Sequence, residues 1–279
     1  KKKLKFNLIR KKNYRDRIKS AQKFSPPIDI RNWSSNPYTF LKSIYYIESS
    51  SLVVYLSQFT KVTPNELTSI YIIMGLLGGL LLSIDNEILN LTALIFFFTR
   101  GTFDWSDGVL ARILNKTSSV GNLLDNWGAK IGSLSFYLGF GLDLQNKYSG
   151  ELFYYLIIIL MFLKSTDLRD YAYHLATFEL MKKKNKNRYL NLLNFKRDEI
   201  LKMKKGFNFY LFFKNIFINF VDERSRTIDI ILLLIFLDIF YFDIFFIKYI
   251  FFYILFKSIV IFFAGIYSTV FKNYIFKGK

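Results

Sequence analysis

Residues 67–84 form a run of 18 positions without a single charged side chain. Such a run is long enough to cross most of a bilayer's hydrocarbon core, where the backbone must satisfy its own hydrogen bonds and a helix does so locally. The rest of the chain repeats this theme with a variation. Residues 88–99 are 12 mostly apolar positions, followed in the same apparent helix by Arg100, Asp104, Asp107 and Arg112. The next segment is the mirror image, polar over 121–130 with Asp125 and apolar over 131–142. A fourth is apolar over 152–163 and continues into Lys164, Asp167, Arg169 and Asp170, and residues 228–242 and 249–271 complete a set of six. The expected fold is an all-α integral membrane protein with six transmembrane helices. Residues 37–60 carry apolar side chains at helical spacing, which predicts an amphipathic helix in the membrane interface ahead of the first span.

Composition supports this class. The chain of 279 residues is 52% hydrophobic, with 32 Phe and 19 Tyr, yet carries a net charge of +18. Basic residues gather in blocks: residues 1–62 hold 14 Lys and Arg and residues 164–226 hold 15, whereas 85–87, 143–151 and 243–248 together hold two. By the positive-inside rule both termini and the 164–226 connection are cytoplasmic, and the polar halves of the second, third and fourth spans open to that side. The expected organisation is a basic cytoplasmic segment over 1–62 and a transmembrane domain over 63–279. The Lys-rich start lacks the apolar core and cleavage site of a secretory signal peptide. The basic 182–205 stretch fits a solvated surface attracted to anionic headgroups of the bilayer, with a grip on a phosphate-bearing substrate as the alternative. Nucleic acid is not an expected partner.

Zero Cys and one His, His174, exclude thiolate chemistry and His-rich zinc sites and leave chemistry to carboxylates. Asp104 and Asp107 are three apart and share a helix face. If the chain reverses near Lys116, Asp125 comes to the same depth on the neighbouring antiparallel helix. Three carboxylates at that depth repel one another unless a cation offsets them, and oxygen-only ligands favour Mg²⁺ or Mn²⁺, with Ca²⁺ also possible. Gly108, Ala111 and Gly121 leave room for a nucleotide beside the backbone, and Arg112 is placed to pair with a phosphate. Gly75, Gly78 and Gly79 suit close helix packing. Lys257, with Asp229 and Asp238 as possible partners, is expected to form a structural pair or to snorkel.

The stretch from Asp104 to Asp125 resembles the signature of the CDP-alcohol phosphotransferases, D-x-x-D-G-x-x-A-R, eight residues, then G-x-x-x-D-x-x-x-D. Asp104, Asp107, Gly108, Ala111, Arg112, Gly121 and Asp125 fall in register, and Thr63-Pro64-Asn65-Glu66-Leu67-Thr68 is similar to the family's T-P-N-x-x-T segment. The resemblance covers about residues 60–272. It implies that Asp104, Asp107 and Asp125 bind Mg²⁺ or Mn²⁺, two ions in the intact family site. It further implies that a CDP-alcohol donor contacts Gly108, Ala111, Arg112 and Gly121, that an acceptor hydroxyl displaces CMP, and that one substrate is a lipid. Asn65 and Thr68 are candidate nucleotide contacts, although Thr63 with Pro64 also reads as a plain helix cap. A homodimer is implied by the resemblance alone.

One position departs. The family's fourth Asp, its general base, corresponds to Ala129. Three explanations stand: an Asp→Ala change that traps a substrate complex, a natural loss of turnover, or another base such as Asp167 or Asp170. The competing function class is a non-catalytic membrane protein that retains CDP-alcohol and metal binding. A transporter is disfavoured, because the apolar outer halves of the spans offer no through-path.

Overall fold

The computed structural model of the chain describes residues 4–21, 37–148, 150–166, 168, 226–241, 247–267 and 270. Eight helices and no strand occur among the described residues: α1 Phe6–Ala21, α2 Pro37–Ser57, α3 Pro64–Leu82, α4 Glu87–Leu114, α5 Ser119–Tyr148, α6 Glu151–Ser165, α7 Arg226–Tyr241 and α8 Ile247–Ile266. Asp167, Asp170, His174 and the basic 182–205 stretch lie outside the described residues.

Two compact units divide the chain, Lys1–Lys147 and Tyr148–Lys279. In the first, α3 packs along α4, α2 against α4, and α1 against α2. Local sequence sets the ends of these helices. Thr63 and Glu66 form a reciprocal capping box, with Pro64 at the first helical position. Asn86 caps α4 by accepting from the backbone of Ile88 and Leu89. Asn115 ends α4 in the left-handed conformation, with φ 54° and ψ 38°, which Asn tolerates better than most residues. Ser118 then accepts from the Gly121 N–H at 3.0 Å as α5 begins. The reversal expected near Lys116 is therefore built by Asn115 and Ser118.

The first core layer comprises Ile9, Val54, Leu67, Val109 and Leu110, drawn from α1, α2, α3 and α4. Further along, Phe97 of α4 meets Phe136 of α5 edge-on at 5.1 Å. A Cβ at Gly79 would run into the Ser135 backbone, and one at Gly139 into the Gly79 carbonyl. The backbones of α3 and α5 touch there, and Ser135 Oγ donates to the Leu76 carbonyl at 3.3 Å. Close packing at Gly79 is thus observed, with α5 as its partner.

The helix α1 is an addition to what periodicity indicates, since its polar, basic sequence carries no apolar stripe. Polar contacts hold it instead. Asn13, buried, donates to the Ile47 carbonyl and to Ser50 and Ser51 of α2. The Leu4 N–H donates to Gln58, and Gln58 donates back to the Leu4 carbonyl. Arg10 and Tyr14 both donate to Glu48.

In the second unit α8 packs on α6 and on α7. Phe251, Ile254 and Ile261 of α8 are buried together with Phe153, Ile157 and Leu160 of α6 and Ile231 and Ile235 of α7. Lys257 is buried as well, at 5% exposure, beside Ser258.

By length and composition, Pro64–Leu82 and Lys248–Ile266 are the two described helices able to cross a membrane. The other four expected spans depart from that standard for visible reasons. α6 has 15 residues and the described residues of α7 number 16, fewer than the about 20 of a full crossing. α4 and α5 are long, at 28 and 30 residues, but carry their charged positions inside the helix. The helices nonetheless expose large apolar side chains, among them Ile70, Ile73, Leu76 and Leu80 on α3 and Phe252, Phe256 and Phe263 on α8.

Candidate active site

The carboxylate motif maps onto the facing ends of α3, α4 and α5. Asp104 and Asp107 share one face of α4, and Asp107 is 7% exposed. Thr68 of α3, also buried, donates to Asp107 Oδ2 at 2.5 Å and to its own Pro64 carbonyl at 3.2 Å. Asp125 of α5 stands within side-chain hydrogen-bonding reach of Asp104, and Asp107 is close enough to both to repel them. The tight reversal at Asn115 therefore sets α5 beside α4, with Asp125 facing Asp104 and Asp107 nearby. Among the described residues no three His, Asp or Glu side chains stand close enough together to hold a metal ion. Asp107 is turned toward Thr68, while Asp104 and Asp125 face each other. The donor set of three carboxylates fits a hard divalent cation in its chemistry, and like charges this close favour one.

Two neighbours of the carboxylates carry no motif signal. Tyr71 of α3 donates its hydroxyl to the Asp125 carbonyl, and a Cβ at Gly128 would collide with the Tyr71 ring. Arg100 lies one turn before Asp104 on α4 and packs its guanidinium against Gly132 and Gly75, 5.5 Å from the Tyr71 ring centroid. A positive charge thus stands beside Asp104 within the bundle. Tyr71 reads as an ordinary core aromatic and Arg100 as one more charge in the polar half of its helix. Only Gly128 and Gly132, spaced four apart on the facing helix, hinted that bulky partners approach there.

The expected nucleotide contacts cluster less tightly. The Arg112 guanidinium lies over Gly108, where a Cβ would approach it at 3.3 Å. Arg112 Nε also pairs with Asp16 of α1 at 3.3 Å, a partner that nothing in the motif announces. At Gly121, a Cβ would meet Ser118 Oγ at 3.2 Å and Asn65 Oδ1 at 3.4 Å, so Asn65 reaches the start of α5. Ala111 is half-buried next to Arg112. Thr68 faces Asp107, as a positioning group for a carboxylate. Ala129 is exposed on α5, one turn beyond Asp125, and its carbonyl accepts from Ser133 Oγ at 2.9 Å.

No curated protein and no solved structure matches the chain. The sequence profile of one family, CDP-alcohol phosphatidyltransferase, matches residues 61–264, well over half of the 279 residues. The match contains all of α3, α4 and α5 and every motif position from Asn65 to Ala129. With its carboxylates gathered between α4 and α5 and its profile match running through both, the chain belongs to the CDP-alcohol phosphatidyltransferase family, a membrane-associated family of transferases.

Proposed function

We propose that this chain is built for metal-dependent transfer of a substituted phosphate group from a CDP-alcohol to an acceptor hydroxyl, releasing CMP, in phospholipid synthesis. We further propose that Ala129 disables it. The observation that carries the reading is that Asp125 of α5 faces Asp104 of α4, with Asp107 close enough to be repelled by both. These three carboxylates would hold Mg²⁺ or Mn²⁺, and the bound metal would supply positive charge against the donor's diphosphate. Arg112 would pair with a phosphate oxygen in the bidentate manner suited to its planar fork. Gly108 and Gly121 keep side chains out of the way, with Asn65 beside Gly121.

In the transfer, the acceptor oxygen bonds to the donor's β-phosphorus. The bond from that phosphorus to the oxygen bridging the α-phosphate breaks, and CMP departs with the electron pair. The acceptor's proton must go to a base. An Asp one turn beyond Asp125 would face the same space, whereas the methyl of Ala129 accepts no proton. The second reading, retained CDP-alcohol and metal binding without turnover, is favoured by that same position. The setting is a multi-pass, six-span protein with both termini and the site on the cytoplasmic side, working as a homodimer with one lipid substrate.

The test is CMP release from a panel of CDP-alcohols with Mg²⁺ or Mn²⁺ in detergent, for the chain and for Ala129→Asp. Release is expected to rise by about 10²–10⁴-fold in Ala129→Asp, the usual worth of a positioned general base. Equal release from both forms would mean that another group serves as base. Failure of both to bind any CDP-alcohol in the presence of metal would refute the proposal.

A further inference from the structure

We propose that Arg17 of α1 is a second phosphate-binding guanidinium of the site, joining Arg112 on the diphosphate of the nucleotide donor. This rests on the reading of the site as one for a CDP-alcohol, and goes beyond it by giving a substrate contact to a helix outside the family match, which begins at residue 61.

Arg17 lies over Trp105, with its guanidinium carbon 4.0 Å from the ring centroid. Trp105 sits between Asp104 and Asp107 in sequence, so the stack brings Arg17 to the carboxylate-bearing stretch of α4. The neighbouring residue Asp16 reaches Arg112 Nε at 3.3 Å, which sets the two guanidinium groups on the same side of α4. They are near enough to repel, and Asp104 is near enough to attract Arg17. Arg17 Nε is nevertheless buried without a hydrogen-bond partner. The Asp16 carboxylate bonds to Arg112, and no acceptor among the described residues reaches Arg17 Nε. A buried guanidinium nitrogen with no acceptor is costly, and a diphosphate supplies acceptors for both forks at once.

α1 is held firmly enough for this role. Asn13, one turn before Arg17, is buried in contacts to Ile47, Ser50 and Ser51, and Ile18 packs beside Ile47 with Trp105. The arrangement presents Arg17 ready-made and so lowers the ordering cost of binding. Asp16 pairs with Arg112 and gives way when phosphate arrives.

The experiment measures binding of cytidine, CMP and CDP with Mg²⁺ to the full chain in detergent, for the chain itself, Arg17→Gln and Arg17→Lys. Arg17→Gln should weaken CDP binding by about tenfold or more, as expected for one charged hydrogen-bond partner, and leave cytidine unchanged. Arg17→Lys keeps the charge over Trp105 without the fork, and should show a smaller CDP loss with cytidine again unchanged. It carries the test if Arg17→Gln does not fold. CDP affinity unchanged in the variants, or cytidine and CDP weakened equally, would overturn the assignment. Failure of the unaltered chain to bind CDP at all would instead overturn the CDP-alcohol reading on which it rests.

Discussion

Thr68 illustrates how a residue expected to touch ligand also has work inside the protein. Its hydroxyl donates to Asp107 Oδ2 at 2.5 Å, and both groups are buried. Thr68→Val keeps the shape and removes the donor, leaving a buried carboxylate oxygen unsatisfied. The expected cost is about 1–3 kcal/mol, seen as a lower midpoint of thermal unfolding in detergent. An unchanged midpoint would mean that the carboxylate finds water or another donor. The motif residues were legible because Asp, Gly and Arg at set intervals have few structural reasons to recur inside an apolar bundle. Tyr71, Arg100 and Asp16 were not legible. Tyr71 and Asp16 reach the site across packing contacts between helices far apart in sequence, Arg100 is one more charge on α4 itself, and each is of a type common elsewhere in this chain.

Between elements, the tie from α1 to α2 has a pH signature. Hydrogen bonds from Arg10 hold the Glu48 carboxyl below its ordinary value of 4.5, with Tyr14 Oη donating at 2.8 Å as well. A carboxylate with a depressed pKa stabilises the folded form above its unfolded pKa, and that contribution is lost as pH falls through the folded one. Protection of α1 amides from hydrogen exchange should therefore hold at pH 7 and decline below about pH 4.3. In Glu48→Gln the pH dependence should flatten, with weaker protection at neutral pH. At the α3–α5 crossing, Gly79→Val should cost about 1–3 kcal/mol by forcing the backbones apart. Gly150→Ala is the control, since the nearest atom to its added methyl is 3.8 Å away. α2, α3 and α4 were legible from apolar periodicity and cap residues. α1 was not, because Asn13 and Glu48 dock it through polar bonds that leave no periodic trace.

For the molecule as a whole, the proposed six-span reading makes α4 one of the crossing helices. Its 28 residues extend about 42 Å, more than the roughly 30 Å of a hydrocarbon core, so on that reading its charged end either passes beyond the core or is covered by protein. The packing of α2 and α3 along α4 provides that cover. The chain has no Cys, which makes single-cysteine labelling clean. Asp85→Cys and Lys116→Cys, both at exposed positions, should react with an impermeant maleimide from opposite faces of oriented vesicles, Lys116→Cys from the cytoplasmic face. Labelling from the same face would refute the proposed topology. The contact of Gly79 with Gly139 has a consequence on a longer timescale. With no side chain on either partner, there is no slack through which one helix could absorb a change in the other. A methyl gained at Gly79 has to be answered by a shift of the α5 backbone, which also carries Asp125. These two sites should therefore drift through evolution as a pair or stay still, and a homologue that enlarges one of them should reveal how the carboxylates were re-aimed to compensate.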